Sequence, residues 1–292
     1  MLNIKENIDN QIRYNRGKNL FNSNLSSLFQ FVAETKKIAL QYKETDSKNE
    51  KLLIDYATQN ALEEFYRVNQ YYSFDKAAKV RLKTIYSDLF QSLKQENDID
   101  KIASIHYKKL KTWLTETNPF AEQIYKKSSS MVECVVCNEY SPQLQIELLK
   151  INLSHLVEPV LDIGCGKSAA LVKHLQSIGI DTFGFDRMVQ NENYCSQFDW
   201  FEYHFENNKW GTIISNLGFS NHFAHHHFRK DGDYVRYAKK YMEILHSLKK
   251  GGSFYYAPGL SFIEEFLDNS IFEVNNHPVN QTGYDATSVK KL

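Results

Sequence analysis

The segment from Val160 to Ser168 combines an acidic residue with two closely spaced glycines. It reads Val-Leu-Asp-Ile-Gly-Cys-Gly-Lys-Ser, so Asp162 lies two residues before Gly164 and four before Gly166. Glycine lets the backbone pass close to a ligand, and a helix that begins after such a turn offers free N–H groups. A carboxylate at the tip of the preceding strand could face a cationic or amino-bearing ligand. The segment therefore predicts a cofactor site at a strand–turn–helix junction.

A cluster of histidines offers a second set of reactive groups. Residues 221–228 read Asn-His-Phe-Ala-His-His-His-Phe, directly after a predicted strand at residues 212–217. Histidine titrates near neutral pH, so His222 or His226 could serve as a general base for a hydroxyl or an amine. Four residues apart on one helical face, the two could instead hold a metal, but no carboxylate is placed to complete such a site. A purely structural role is the third possibility, and no metal is predicted.

A Cys-x-x-Cys pair, Cys134 and Cys137, is the other motif that could bind a metal or act in redox chemistry. No second such pair and no histidine pair at matching spacing accompanies it, and the two valines between the cysteines favour apolar packing. The chain has four cysteines in 292 residues, which is too few for a disulfide framework. We therefore expect neither a metal nor a redox role for this pair.

Strands and helices alternate around the glycine segment. Strand patterns cover residues 160–163, 182–185, 212–217 and 253–257, a helix is predicted at 167–178, and a longer helix is predicted to end at the Lys-Lys-Gly-Gly of 249–252. Residues 271–275 and 286–290 could close the sheet as a pair. Alternating strands and helices predict an α/β fold with a parallel sheet covered by helices on both faces.

The first part of the chain has a different pattern. From about residue 24 to 127, apolar residues recur at helical spacing, with breaks near residues 45–49, 73–75 and 96–98. This pattern predicts a four- or five-helix bundle. The serines at 128–130 mark the change of pattern, so we expect a helical bundle or lid domain at residues 1–130 and a catalytic domain at residues 131–292.

The catalytic part resembles the class I S-adenosylmethionine-dependent methyltransferases, whose first motif is an acidic residue followed by x-Gly-x-Gly-x-Gly. Asp162, Gly164 and Gly166 match that motif, and Ser168 stands at the third glycine. The spacing to Ala169 also fits a relaxed dinucleotide fingerprint, so an NAD-dependent oxidoreductase is an alternative. The acid before the turn, the late position of the unit and the closing pair favour S-adenosylmethionine. The implied fold is a Rossmann-like class I methyltransferase sheet behind an all-α bundle.

The resemblance implies roles for two further acids. Asp186, at the end of the second strand, would accept hydrogen bonds from both ribose hydroxyls. Asp199 would accept from the adenine amine while Trp200 lines the ring, although a surface acid beside a core tryptophan is an equal possibility. The full set of predicted cofactor-binding residues is Tyr140, Asp162, Gly164, Cys165, Gly166, Asp186, Arg187, Asp199, Trp200 and Ser215.

Two more segments border the predicted pocket. Ser215 and Asn216 end the fourth strand, where open α/β sheets bind ligands, but the Asn/Asp-Pro-Pro-Tyr signature of base-methylating enzymes is absent. In this family the segment before the first helix commonly folds over the methionine end of the cofactor, where Tyr140 or Ser141 could bind its carboxylate. A linker with Ser141 as helix cap fits equally well. The predicted catalytic residues are His222, His226, Tyr140 and Asn216.

The predicted function is a cytoplasmic S-adenosylmethionine-dependent methyltransferase of small-molecule biosynthesis. The chain has 35 Lys plus Arg and 35 Asp plus Glu, so its net charge gives no argument for nucleic acid or membrane binding. No signal peptide and no membrane-spanning stretch is predicted, and a homodimer is left open. Two alternatives remain: intramolecular cyclisation of S-adenosylmethionine with release of methylthioadenosine, and a non-catalytic cofactor-binding protein. The sequence does not identify the acceptor.

Overall fold

The structure is a computed structural model that describes residues 2–41, 47–95, 98–127, 129–135, 139–279 and 283–292. The chain divides into two compact units, Met1–Cys137 and Asn138–Leu292. Within the described ranges, no helix is both long and apolar enough to cross a membrane. Ser128 and Cys137, and parts of the breaks predicted near residues 45–49 and 96–98, lie outside those ranges.

The described residues of the first unit are mainly helical. Its helices are α1 (Leu2–Asn15), α2 (Leu25–Leu28), α3 (Ala33–Gln41), α4 (Ser47–Val68), α5 (Lys76–Gln95), α6 (Ile99–Thr117) and α7 (Phe120–Tyr125). The predicted break at residues 73–75 is present, and Asp75 Oδ1 accepts a hydrogen bond of 2.7 Å from Ala78 N at the start of α5. Asp98 caps α6 in the same way by accepting from Lys101 N at 3.0 Å. Helix α1 precedes the region in which the sequence pattern predicted helices.

The second unit is built on one mostly parallel sheet. In its described residues the strands are β1 (Val160–Ile163), β2 (Thr182–Asp186), β3 (Cys195–Gln197), β4 (Trp210–Asn216), β5 (Leu248–Ala257), β6 (Phe272–Pro278) and β7 (Asp285–Lys291). Their order is β3-β2-β1-β4-β5-β7-β6. Neighbours from β3 through β5 are parallel, and β7 pairs antiparallel with both β5 and β6. The predicted α/β fold, a Rossmann-like class I methyltransferase sheet with a closing antiparallel pair, is confirmed.

Helices and a short 3-10 turn precede and connect these strands. They are α8 (Pro142–Leu148), the turn Leu153–His155, α9 (Ala170–Ser177), α10 (Phe219–His227), α11 (Tyr234–Ser247) and α12 (Ser261–Glu264). Tyr241 and Ile244 on α11 are fully buried, as are Ile213 and Phe254 in the sheet. This apolar layer anchors the helices against the strands, so the loops at the carboxyl ends of β1, β2 and β4 start from a rigid base.

One boundary prediction was wrong. The Lys-Lys-Gly-Gly run was expected to end the long helix, but α11 ends at Ser247 and the run belongs to β5. Gly251 has a left-handed φ of 78°, and the pairing of β4 with β5 shifts register between Trp210 and Thr212. A Cβ on Gly252 would lie 2.6 Å from the carbonyl oxygen of Gly211. The two glycines therefore allow an irregular, closely packed strand pairing rather than a helix cap.

Candidate cofactor and substrate site

The glycine turn follows β1 directly and is tied to the neighbouring strand. Gly164 and Gly166 have left-handed φ values of 77° and 74°, which favour glycine. The N–H groups of Gly164 and Cys165 both donate to the carbonyl oxygen of Phe185 in β2, at 2.9 and 3.2 Å. Helix α9 begins only at Ala170, so residues 164–169 form an open loop instead of the helix predicted from residue 167.

The turn borders a carboxylate and an indole. A Cβ placed on Gly164 would lie 3.9 Å from Asp186 Oδ2 and 3.8 Å from the Trp200 ring. Asp186 Oδ2 accepts from Gly166 N at 3.3 Å, and its Oδ1 accepts from Met188 N at 2.7 Å. These contacts hold the carboxylate at the end of β2 beside the turn. The structure therefore brings Gly164, Asp186 and Trp200 together.

Asp162 is a buried carboxylate inside β1. It is 2% exposed, and its Oδ2 has no hydrogen-bond partner among the described residues. Burial, with the nearby Asp186 carboxylate as a smaller cause, raises the pKa of Asp162 to about 7. Burial also raises the pKa of Asp186, against the opposing effect of the Arg187 guanidinium. Two buried acids face one guanidinium here, so this end of the sheet is suited to a cationic ligand.

Glu139 was not identified from the sequence. Its Oε1 accepts hydrogen bonds from the N–H groups of Lys167 and Ser168, at 2.6 and 3.2 Å. A Cβ on Gly166 would lie 3.0 Å from the same oxygen, so the glycine makes room for this carboxylate. The only signal in the sequence is that Glu139 precedes Tyr140 in a segment already expected to approach the cofactor. Its contacts show that the turn can bind a carboxylate.

Asp199 and Trp200 lie in the loop after β3. Asp199 is 7% exposed, and its Oδ1 accepts from Phe201 N at 3.0 Å, so the carboxylate shapes the local turn. Trp200 lies edge-on to His222, with ring centroids 4.7 Å apart. Trp200 is thus both a core residue and a border of the glycine turn, while Asp199 has a clear structural role in addition to any contact with a ligand.

His222 is the histidine of the cluster that lies next to the site. It is 4% exposed on α10, and burial together with the Arg187 guanidinium holds its pKa well below the usual range. The ring is therefore neutral at neutral pH, which is the form that can accept a proton. Asn216 at the end of β4 has a buried Oδ1 without a hydrogen-bond partner among the described residues, so this side chain can still receive a donor.

His226 does not fit the predicted role of general base. Its Nδ1 accepts from Asp233 N at 3.0 Å, so the neutral ring carries its proton on Nε2 and has no free lone pair. The ring stacks on Tyr237, with centroids 4.7 Å apart, and burial lowers its pKa to about 4. His225 bonds Arg229, and His227 stacks on Phe262 at 3.7 Å. Apart from His222, the cluster is structural.

Ser215 is also corrected from a cofactor ligand to a structural residue. It is fully buried, its hydroxyl donates to the Ile163 carbonyl at 3.0 Å, and it accepts from Phe219 N at 3.0 Å. These bonds join the end of β1 to the start of α10, and they use the donor and one acceptor lone pair of a hydroxyl that is fully buried.

Cys165 offers only its backbone to a ligand, because its side chain packs against β2. A Cβ on Gly184 would lie 3.1 Å from Cys165 Sγ. Tyr140 is half-buried, and its carbonyl accepts from Gln145 Nε2 at 2.9 Å. Ser141 caps α8 by accepting from Leu144 N at 3.3 Å, with Pro142 as the first helical residue. The capping alternative predicted for Ser141 is thus confirmed.

Among the described residues, no group of three or more histidine, cysteine, aspartate or glutamate side chains is arranged to hold an ion. Cys134 is an exposed free cysteine, and its predicted partner Cys137 lies outside the described residues.

Comparisons with known proteins give similarities of fold. No protein-family model and no curated protein matches the sequence. A chain of the complex containing the Haloferax volcanii Trm112 methyltransferase activator is 16% identical over 51% of this chain and 91% of its own, with a TM-score of 0.34. The 1,6-didemethyltoxoflavin-N1-methyltransferase of Burkholderia thailandensis is 16% identical, over 53% and 79%, with a TM-score of 0.35. TrmN from Thermus thermophilus is 13% identical, over 53% and 50%, with a TM-score of 0.36. The fold assignment rests on the strand order and register described above.

Proposed function

We propose that this chain is an S-adenosylmethionine-dependent transferase that methylates a small molecule. The observation that carries the proposal is the arrangement of three residues: Gly164 after β1, Asp186 at the end of β2 and Trp200 in the loop after β3. The bare glycine backbone admits a ligand, the carboxylate can accept from two ribose hydroxyls, and the indole offers an apolar face for a purine. Together these groups suit an adenosine.

The charge around the turn favours S-adenosylmethionine over NAD. A dinucleotide places its pyrophosphate on the N–H groups of the glycine turn. Here the N–H groups of Lys167 and Ser168 already donate to the Glu139 carboxylate. Asp162 and Asp186 add acidic groups close by, and each has a pKa raised by burial. A cationic ligand relieves this arrangement, whereas a pyrophosphate would be repelled by it.

The side chains of this site have three tasks in the proposed reaction. Bound S-adenosylmethionine supplies the methyl group of its sulfonium to the acceptor. The bond between methyl carbon and sulfur breaks as the acceptor attacks, and S-adenosylhomocysteine is the leaving group. Asp186 and the glycine turn orient the adenosine end, and alignment of this kind supplies most of the catalysis. Asp162 balances positive charge in a buried place. We assign to the neutral His222 ring, whose centroid lies 4.7 Å from that of Trp200, the removal of the proton that the acceptor loses.

The test is product analysis by mass spectrometry with S-adenosylmethionine alone and then with a small-molecule cell extract. The proposal expects S-adenosylhomocysteine and one methylated compound, both dependent on the extract and both strongly reduced in Asp186→Ala. Methylthioadenosine formed from S-adenosylmethionine alone would instead identify the cyclisation reaction. Calorimetric titrations that show binding of NAD but not of S-adenosylmethionine would overturn the proposal.

A third outcome would identify a non-catalytic protein. In that case S-adenosylmethionine binds to the wild type and binds weakly to Asp186→Ala, but no extract consumes it. A matched control is Asp181→Asn, since Asp181 is an exposed acid at the opposite end of β2. That control should bind and turn over as the wild type does.

A further inference from the structure

The helical unit contains an apolar cavity of about 170 Å³ among α1, α3, α4, α5 and α6. Ile4, Ile8, Phe29, Phe31, Leu93 and Leu110 are among its apolar walls. An apolar cavity of roughly 150 Å³, engineered into another protein, holds a benzene molecule. The cavity in this unit therefore has room for one small ring.

Two alanines create this space. Ala57 and Ala61 lie one turn apart on the same face of α4, both line the cavity, and both are buried. Protein interiors seldom keep voids larger than a water molecule, because the lining atoms lose their contacts. A leucine at either position would fill much of the space, so the small side chains at the centre of a bundle leave a volume that a ligand can occupy.

Among the described residues, the cavity wall contains buried polar atoms without a hydrogen-bond partner. His106 is 5% exposed, and neither its Nδ1 nor Thr35 Oγ1 has a hydrogen-bond partner among the described residues. Burial lowers the pKa of His106 to about 3, so the ring is neutral at neutral pH. Gln11 and Asn15 also line the cavity, but their amides already donate to the Tyr107 hydroxyl, at 3.4 and 2.6 Å. A buried polar group without a partner is unfavourable, so these two can select a ligand that pairs with them.

The charged side chains of the wall are already engaged. Lys18 Nζ donates to Asn15 Oδ1 and to the Leu28 carbonyl, at 3.2 and 3.1 Å, and it lies 3.4 Å from the centre of the Tyr14 ring. Glu64 accepts from Arg16 at 3.3 Å and also pairs with Arg67. Both charged groups in the described wall thus already have partners, so the groups that remain for a ligand are uncharged.

We propose that the helical unit binds an uncharged small molecule, about one six-membered ring in size, that carries a hydroxyl or similar hydrogen-bonding group. The ring lies beside Ala57 and Ala61, and the polar group pairs with His106 or Thr35. This inference is independent of the proposed function, because the cavity and its polar groups belong to the first unit alone.

The experiment uses phenol and toluene, which have nearly the same shape, as probes in calorimetric titrations of the full chain. We expect both to bind saturably to the wild type. Ala61→Leu should raise the dissociation constant of both probes at least ~tenfold, because the side chain takes the place of the ring. Val80→Phe adds bulk at a position that is 58% exposed on α5 and should change either constant less than about twofold.

The polar variants separate the hydrogen bond from the apolar contact. Thr35→Val and His106→Phe are the two substitutions, and at least one should weaken phenol binding about tenfold while toluene changes less than about twofold. Circular dichroism shows whether each variant is folded. If His106→Phe does not fold, Thr35→Val, which conserves the shape of the side chain, tests the hydrogen bond to phenol. Absence of saturable binding, or binding that Ala61→Leu leaves unchanged, would overturn the proposed cavity. Equal losses for the two probes in the folded polar variants would overturn the proposed hydrogen bond.

Discussion

Replacement of Asp162 by asparagine should stabilise the free protein and weaken its binding of the cofactor. The carboxylate is buried, its Oδ2 is unpaired among the described residues, and its pKa is about 7 against an ordinary value of 3.8. Each pH unit between these values corresponds to about 1.36 kcal/mol of folding free energy, so the penalty of the ionised carboxylate reaches ~4 kcal/mol at most. Asparagine carries no charge and avoids that penalty.

The sign of the pH dependence follows from the raised pKa. At about pH 4 and below, Asp162 is protonated in both the folded and the unfolded protein, and the variant should gain little. Between about pH 4 and 7 the unfolded chain loses the proton while the folded one keeps it, so wild-type stability falls relative to the variant. Above about pH 7 the difference should be constant.

Urea denaturation from pH 4.5 to 8.5 measures this difference. The control is Asp181→Asn, whose exposed carboxylate should give a small difference at every pH. A wild type that is more stable than Asp162→Asn at pH 8 would refute the assignment of an uncompensated buried carboxylate. A difference that does not grow between pH 4.5 and 7 would refute it as well.

The same substitution tests the cation-binding role. Loss of a charged hydrogen bond corresponds to about 1.5–3 kcal/mol, so we expect the affinity for S-adenosylmethionine to fall about 10- to 150-fold at pH 8. Below about pH 7 the wild type must lose a proton to bind a cation at Asp162, so its affinity should fall with decreasing pH, whereas that of the variant should fall less. Calorimetry across pH 5.5–8.5 gives both curves, and equal pH dependence would contradict the role of Asp162.

Three further predictions concern neighbouring residues. Asp186→Ala should weaken S-adenosylmethionine binding by ~2–3 kcal/mol in calorimetry, and an unchanged affinity in a folded variant would remove Asp186 from the site. His222→Ala should lower kcat about 10²–10⁴-fold with nearly normal cofactor affinity. His226→Ala should keep most of kcat, because its Nδ1 already accepts a backbone hydrogen bond. Steady-state kinetics that show the opposite pattern would assign the general base to His226 and a structural role to His222. Ser215→Ala should lower the free energy of unfolding by about 1–3 kcal/mol in urea denaturation, because two buried hydrogen bonds are lost. A large loss of cofactor affinity without a loss of stability would instead identify Ser215 as a cofactor ligand.

The sequence alone determined the class of fold and the position of the glycine turn. The alternation of strand and helix patterns predicts a parallel sheet, because strands and helices have different apolar periods and each must bury one face. The acid and glycines at residues 162–166 mark the turn after β1, because only glycine readily adopts the left-handed φ that both glycines have. These are local properties of the chain, so they can be read without knowledge of distant contacts.

Only the tertiary structure decided which side chains have free bonding capacity. Ser215 and His226 have suitable chemistry and suitable positions, but Ser215 donates to a carbonyl 52 residues earlier and His226 accepts from a backbone N–H seven residues later. No sequence pattern shows either bond. Glu139 reaches the glycine turn from 28 residues upstream, through a contact that sequence spacing does not encode. The cavity beside Ala57 and Ala61 likewise cannot be predicted from the helical pattern, because alanines are common on an apolar helix face. Only the packing of α4 against the other four helices leaves space beside them. Burial and pairing depend on contacts between distant residues, and only the folded chain fixes those contacts.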